Sequence, residues 1–571
     1  RTAIKTLTQR NPNPYDGEPY FNLGWSCRMQ GKIDEAYDAF YKAAWNAAWQ
    51  DASYFEIARI ENIRGEYEKA LESVEKSLTR NWHHHKARQL KCSLLRKMKY
   101  NEKAVAFADA SLEIDSFNMG CRYERYLASG ENSDLEKLKE LMRDWSHGYI
   151  EYALDFVAGG LYEEAAGLLG LYLQDTEKVY PIIYYLLGYI CMKQGNPSLA
   201  QEYFIKAEKC DPAYCFPNRI EEVLILQEAV RQNPSDAKAF YYLGNFWYAS
   251  RRYENAVSCW EQSATIDPEF PTVWRNLSLA YYNKCNNREK AVAALEKAFA
   301  LDNTDARILM ELDQLYKKLE RSYAERLIFL EKHVALVESR DDLALERITL
   351  YNQLGRYSEA KALLAARKFH PWGGGEGKVT GQYVLCHVGL AKEAISAGRF
   401  EEALDLLNKT ESYPYNLGEG KLAGAEENDI YYYKGLCYRE LGKESEALSC
   451  FHKATVGSSE PAQAFFYNDQ QPDKIFYQGL AWRALGDEKK ARSRFNKLIK
   501  HGEKHLFDNC KIDYFAVSLP DLAIWEEDLN KRNLLHCNYV MGLGHLGLGN
   551  LVKARSFFEE VRKLDVNHQG G

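Results

Sequence analysis

Two identical tetrapeptides bring together glycine, acid and base: Gly375-Glu376-Gly377-Lys378 and Gly418-Glu419-Gly420-Lys421. A glycine-rich stretch ending in lysine can cradle a phosphate. That chemistry needs a glycine five residues before the Gly-Lys pair and a hydroxyl residue after the lysine. Those upstream positions hold Trp372 and Tyr415, and Val379 and Leu422 follow the lysines. No strand is expected before either copy, so the sequence argues against a nucleotide loop. A second chemistry is hydrolysis of a glycosidic bond, which uses two carboxyls roughly 5–10 Å apart beside aromatic walls. Glu376, Glu419 and Asp521 are the acids available, near Trp372 and Trp525. An acid beside a lysine or at a helix N-terminus is the simpler reading, and we assign no catalytic residue.

The run Trp82-His83-His84-His85 invites a metal, but adjacent histidines on a helix point in different directions. Ligands on one face want an i, i+4 spacing, and no nearby carboxylate or cysteine completes a set. No metal and no cofactor is expected. His536-Cys537 and Cys386-His387 read as helix residues.

These residues must be positioned by an array. A glycine followed five residues later by an alanine recurs at Gly31/Ala36, Gly65/Ala70, Gly160/Ala165, Gly195/Ala200, Gly355/Ala360, Gly398/Ala403, Gly442/Ala447, Gly486/Ala491 and Gly549/Ala554. Apolar residues at i, i+3, i+4 and i+7 on both sides predict two amphipathic helices per unit. The glycine serves the turn between them, and a proline often stops the second helix. One such pair cannot bury its own apolar face, so the units must stack. At 571 residues the chain is too long for one ordinary core, which agrees with an array.

Charge and cysteine use narrow the function. The net charge is −7, from 74 basic and 81 acidic residues spread along the chain, so no basic face for nucleic acid is expected. The most apolar stretch, 180–192, is too short to cross a bilayer. Thirteen cysteines, with no CxxC pair, argue against a disulfide framework and for a reducing compartment, the cytoplasm. The first residue is Arg1 rather than Met, so we expect a fragment or processed product.

Tyr184, Leu187, Gly188, Gly195, Ala200, Phe204, Ala207 and Pro212 stand in the order of one known signature. The chain resembles the tetratricopeptide repeat along nearly its whole length. The resemblance implies an all-α, right-handed superhelical solenoid of about 14–15 helix pairs. Weaker units are expected at 119–145, 213–236 and 305–340.

Residues 1–368 are expected to form a regular solenoid, and 369–571 a solenoid carrying four ordered insertions, 369–382, 411–427, 455–471 and 501–531. Insertions at one point of successive units emerge from one edge. That edge would present His370, Trp372, Glu376, Lys378, Tyr415, Glu419, Lys421, Tyr467, Asp469, Tyr514, Trp525 and Asp528. In the family the first helices line a concave groove. Its positions here carry Phe21, Phe55, Tyr185, Tyr241, Tyr432, Phe476, Tyr539, Arg439 and Arg483, although these rings could equally pack between helices.

Stretches such as "FHPWGGGEGK", "NLGEGKLAGAEENDIYYYKG" and "YFAVSLPDLAIWEEDLN" resemble more closely the C-terminal part of large bacterial proteins. Their N-terminal part is a β-rich, galactose-mutarotase-like domain, absent from this sequence. That resemblance implies a carbohydrate-related setting. Two functions are therefore expected to compete. One is a scaffold docking a protein partner, a second copy or its own missing domain; the other is an accessory part of a glycan site, hydrolase-like in the full-length protein.

Overall fold

The turn and its alanine show how the array is built. In the computed structural model, which describes all residues except 10, 12–15, 373–374, 423, 464–470, 512–523 and 569–571, each of the nine turn glycines has a positive φ, between 72° and 83°. A typical turn is closed by Asn196 N–H donating to Cys191 O at 2.9 Å, the six-residue bond of a Schellman motif. The alanine five residues on, such as Ala200, is buried where the second helix crosses the first. A second close approach repeats. A Cβ placed on Gly188 would stand 2.4 Å from Phe204, and one on Gly479 would stand 2.4 Å from Phe495. The ring of each second helix thus occupies the space a side chain would take on the first.

Some units make the same turn without glycine: Lys99, Arg251 and Glu320 carry φ of 67°, 60° and 61°. A left-handed residue other than glycine costs about 1–2 kcal/mol, offset in part by glycine's larger unfolded-state entropy. Lys99→Gly should therefore stabilise by roughly 0.5 kcal/mol. Gly195→Ala, at φ +74° with open space around it, should destabilise by about 1 kcal/mol. Urea melts of the two variants should shift in opposite directions.

Among the described residues the regular structure is entirely helical, with 31 α-helices and no strand. The chain falls into two compact units, Arg1–Pro268 and Glu269–Gly571. In the first, pairs run from Glu18–Met29 with Ile33–Ala43 to Ala237–Ala249 with Tyr253–Ile266. Residues 213–236 depart from expectation and hold one helix, Ile220–Gln232. Pro212 and Pro217 cannot continue a helix there. In the second unit, pairs run from Pro271–Asn283 with Arg288–Leu301 to Leu529–Gly547 with Leu551–Leu564. The boundary read from the insertions, 368/369, lies inside this unit.

Each unit folds back on itself. In the first, Arg59 donates to Glu56 at 3.0 Å and to Asp155 at 2.9 Å, and Asn62 Nδ2 donates to Gly159 O at 2.6 Å. The face of Gln50–Ile63 is thereby covered by the end of Ser146–Ala158. In the second, the stretch after the last helix returns to the start of the unit. Arg326 Nη1 donates to Asn567 Oδ1 at 3.1 Å, and Asn567 Nδ2 donates to Arg321 O at 3.0 Å.

Two insertions are shorter than read from sequence. Helix Lys378–Ser396 begins inside 369–382, and helices Glu488–His505 and Leu529–Gly547 extend into 501–531. Apolar residues continue past the expected ends, among them buried Val379.

Candidate functional site

The two tetrapeptides meet. Gly377 holds a left-handed conformation, φ +73°, and caps Lys378–Ser396 at its N-terminus. The carboxylate of Glu419 accepts from Gly377 N–H at 3.0 Å through Oε2 and 3.2 Å through Oε1, with Thr380 Oγ1 donating at 3.5 Å. The second loop is locked onto the first by Asn416. Its Nδ2 donates to Leu364 O and Arg367 O, each at 2.8 Å, and its carbonyl accepts from Phe369 N–H at 2.7 Å. Lys421 Nζ donates to Thr410 O and Glu411 O at 3.1 Å and to Glu427 at 2.5 Å. Glu419 is thus a helix cap reaching across from a neighbouring unit, the favoured place for an acid against a helix dipole. Glu419→Gln should weaken this cap by about 1 kcal/mol. Amide exchange over residues 377–381 should then rise about fivefold, a rise that Gln at exposed Glu376 should not reproduce.

His370, Trp372, Glu376 and Lys378 lie in and just after the first of these joined loops, and Tyr415 lies in the second. His370 is exposed and sits 3.2 Å from Asp341, and Trp372 is half-buried with Gly375 packed on its ring. Glu376 and Lys378 are exposed, and Tyr415 is 89% exposed. Asp528 caps Leu529–Gly547, accepting from Asn530 N–H at 2.9 Å and Lys531 N–H at 3.1 Å. Tyr467, Asp469, Tyr514 and Asp521 lie outside the described residues. Among the described residues no three His, Cys, Asp or Glu side chains are grouped to hold a metal, and no helix is long and apolar enough to cross a membrane. His84 caps His85–Lys97 by accepting from Ala87 N–H at 3.2 Å.

The groove residues mostly serve packing. Phe55 and Tyr241 are buried, and fully buried Tyr185 donates to Asp236 Oδ2 at 2.9 Å. Phe21 packs on Phe40, Tyr432 on Tyr477, Phe476 on Phe495 and Tyr539 on Phe558. Arg439 and Arg483 remain exposed and lie over Phe451 and Phe495, with Arg483 also paired to Glu488 at 3.0 Å.

One expected edge residue is somewhere else altogether. Trp525 is 2% exposed and packs into the core formed around Ala306–Lys318, its ring 5.2 Å from that of Tyr282. Its Nε1–H donates to Glu311 O at 3.0 Å, across 214 residues of sequence. On either side, Asn283 grips the backbone: Nδ2 donates to Ile524 O at 2.8 Å, and Oδ1 accepts from Glu526 N–H at 2.9 Å. Lys284 pairs with Glu526, and Lys318 stands 3.6 Å from Glu527. A bent, non-helical segment is therefore held as a ligand would be: backbone by a side-chain amide, an aromatic ring in a pocket, acids against lysines. Asn283 and the Glu311 carbonyl were not singled out from sequence. The run Trp525-Glu526-Glu527 in an insertion was the available signal.

Family models described as the tetratricopeptide repeat match residues 182–214, 225–272 and 475–501. Among solved structures, the P58(IPK) TPR domain is 13% identical over 83% of this chain and 97% of that one, with a TM-score of 0.24. Yeast Tom70 is 14% identical over 75% of this chain and 96% of that one, at 0.22. YrrB, titled a TPR protein with an unusual peptide-binding site, is 21% identical over 42% of this chain and 97% of that one, at 0.16. No correspondence of whole folds follows from scores this low.

Proposed function

We propose that this chain is a protein-recognition scaffold whose second unit docks non-helical peptide segments in the groove face of Pro271–Asn283 and Ala306–Lys318. The observation that carries this is the two-sided hold of Asn283 on the main chain of Ile524 and Glu526. Main-chain recognition is independent of side chains and suits a partner whose backbone groups are not already bonded in a helix. A buried aromatic anchor then supplies selectivity. The matched repeats support the same reading.

The partner is a segment of another protein, of a second copy, or of a further domain of the same polypeptide, such as the β-rich domain that the sequence resemblance implies. Glycan contact at the joined 369–377 and 411–427 loops is the competing outcome, drawing on exposed Glu376 and Tyr415. The full chain, labelled and applied in parallel to arrays of extended peptides and of glycans, decides between them. Binding to peptides that is lost with Asn283→Ala is the expected result. Binding to glycans alone, unaffected by Asn283→Ala, would overturn the proposal.

A further inference from the structure

We infer that Ile524–Glu527 is an exchangeable internal ligand, and that its site takes in trans a non-helical peptide carrying an aliphatic residue, a tryptophan and then acids. This rests on the groove being a peptide site, and adds what that site selects and how it is controlled.

The selectivity follows from three contacts. The indole ring is fully enclosed and its N–H is satisfied by Glu311 O, so phenylalanine would leave that carbonyl without its extra donor and serine would leave a void. The Asn283 amide needs one carbonyl and one N–H two residues apart on one side of the chain, which the bend at Ile524 and Trp525 presents and a helix, whose N–H groups are already bonded, does not. Lys284 and Lys318 face the positions after the tryptophan, so basic residues there are disfavoured. Because Glu526 and Glu527 are exposed, their pairs steer the approach more than they add affinity.

The exchange follows from how the segment is attached. Residues 524–528 form no helix or strand, so leaving the groove breaks side-chain contacts but no ladder. The segment is nevertheless tethered through Leu529–Gly547, which presents it to its site at an effective concentration on the order of millimolar. A partner in trans therefore binds the intact chain with an affinity reduced by the fraction of sites already filled. A partner that wins the site releases Trp525 and its flanking acids to solvent.

The test uses the full chain and a fluorescein-labelled peptide Ile-Trp-Glu-Glu-Asp-Leu, copying residues 524–529, followed by anisotropy. Trp525→Ala, which vacates the pocket, should bind the peptide at least tenfold more tightly than the unaltered chain. Adding Asn283→Ala should abolish that gain, and a peptide with serine for tryptophan should not bind. Equal affinity for the unaltered and Trp525→Ala chains, with native circular dichroism in both, would overturn the inference. So would equal binding of the serine peptide. Should Trp525→Ala not fold, Glu526→Lys decides: it sets two cations together while leaving the core intact, and should tighten trans binding severalfold, whereas no change overturns the inference. If the arrays bind other peptides through Asn283 but this peptide never binds, the inference fails while the peptide-site reading stands.

Discussion

Arg326→Met should destabilise the second unit by about 3–5 kcal/mol, the loss typical when one partner of a buried ion pair is removed. Arg326 is 1% exposed and makes a two-pronged bond to Asp313, Nε to Oδ1 at 3.1 Å and Nη2 to Oδ2 at 2.6 Å. It also donates to Glu346 at 2.6 Å and to Asn567. Methionine fills much of the volume but leaves two carboxylates with one fewer cation, and it removes one of the bonds to the returning chain end, which Asn567 Nδ2 to Arg321 O and Tyr323 to His568 O still hold. The deficit should depend on pH. Burial raises the pKa of the Asp313 carboxyl, against the opposing pull of Arg326. Without Arg326 the pKa rises further, so the folded variant binds a proton before the unfolded chain does. A carboxyl with a raised folded pKa is unpenalised below its unfolded value near 4 and loses stability as pH rises through the folded value. The gap between Arg326→Met and the unaltered protein should therefore be largest at neutral pH and narrow toward pH 4. Glu346 is shifted the other way: burial would raise it, but Lys317 and Arg326 together hold it down to about 2. Stability from a lowered carboxyl is present above its unfolded value near 4 and lost as pH falls through the folded value, so this part of the gap also fades with acid but persists at pH 4.5. Denaturant melts at pH 7.5 and pH 4.5 check both the size and the sign.

Trp525→Ala should abolish docking of its segment outright. A buried tryptophan removes 150–250 Å² from water, about 4–6 kcal/mol at 25 cal/mol per Å², and the hydrogen bond to Glu311 O goes with it. The remaining contacts are the Asn283 pair and exposed charges, worth too little to hold the segment against its conformational entropy. The helix pairs should stay folded, because their packing rests on the repeated glycine–ring and alanine contacts rather than on the segment. Far-ultraviolet circular dichroism should change little, while Glu526 N–H exchange should rise to the rate of an unstructured chain.

Much of the architecture is legible in the sequence because it is local. Gly195 and Ala200 stand five residues apart, and a turn with its crossing residue is decided within that distance. The units without glycine at the turn, at Lys99 and Glu320, are harder to read, since stacking neighbours there outweigh backbone preference. Acid capping of a helix was one of the roles foreseen for Glu419. Which helix it caps was not legible, because the partner lies 42 residues away and belongs to another unit. Trp525 shows the limit most clearly. Its composition suggested an exposed edge, but its place is set by Asn283 and Glu311, more than 200 residues earlier. Only the return of the second unit upon itself brings them together.

Both proposals stand on the hold of Asn283 on a non-helical segment that a peptide can replace. Amide exchange at Glu526 in the intact chain tests it most directly, measured alone and with the unlabelled hexapeptide in excess over the tethered segment, on the order of 10 mM. Exchange should be slow without peptide, because Asn283 Oδ1 accepts that N–H, and should reach the rate of an unstructured chain once the peptide has displaced the segment. Fast exchange without peptide, or slow exchange that saturating peptide leaves unchanged, would show that no such replaceable segment exists.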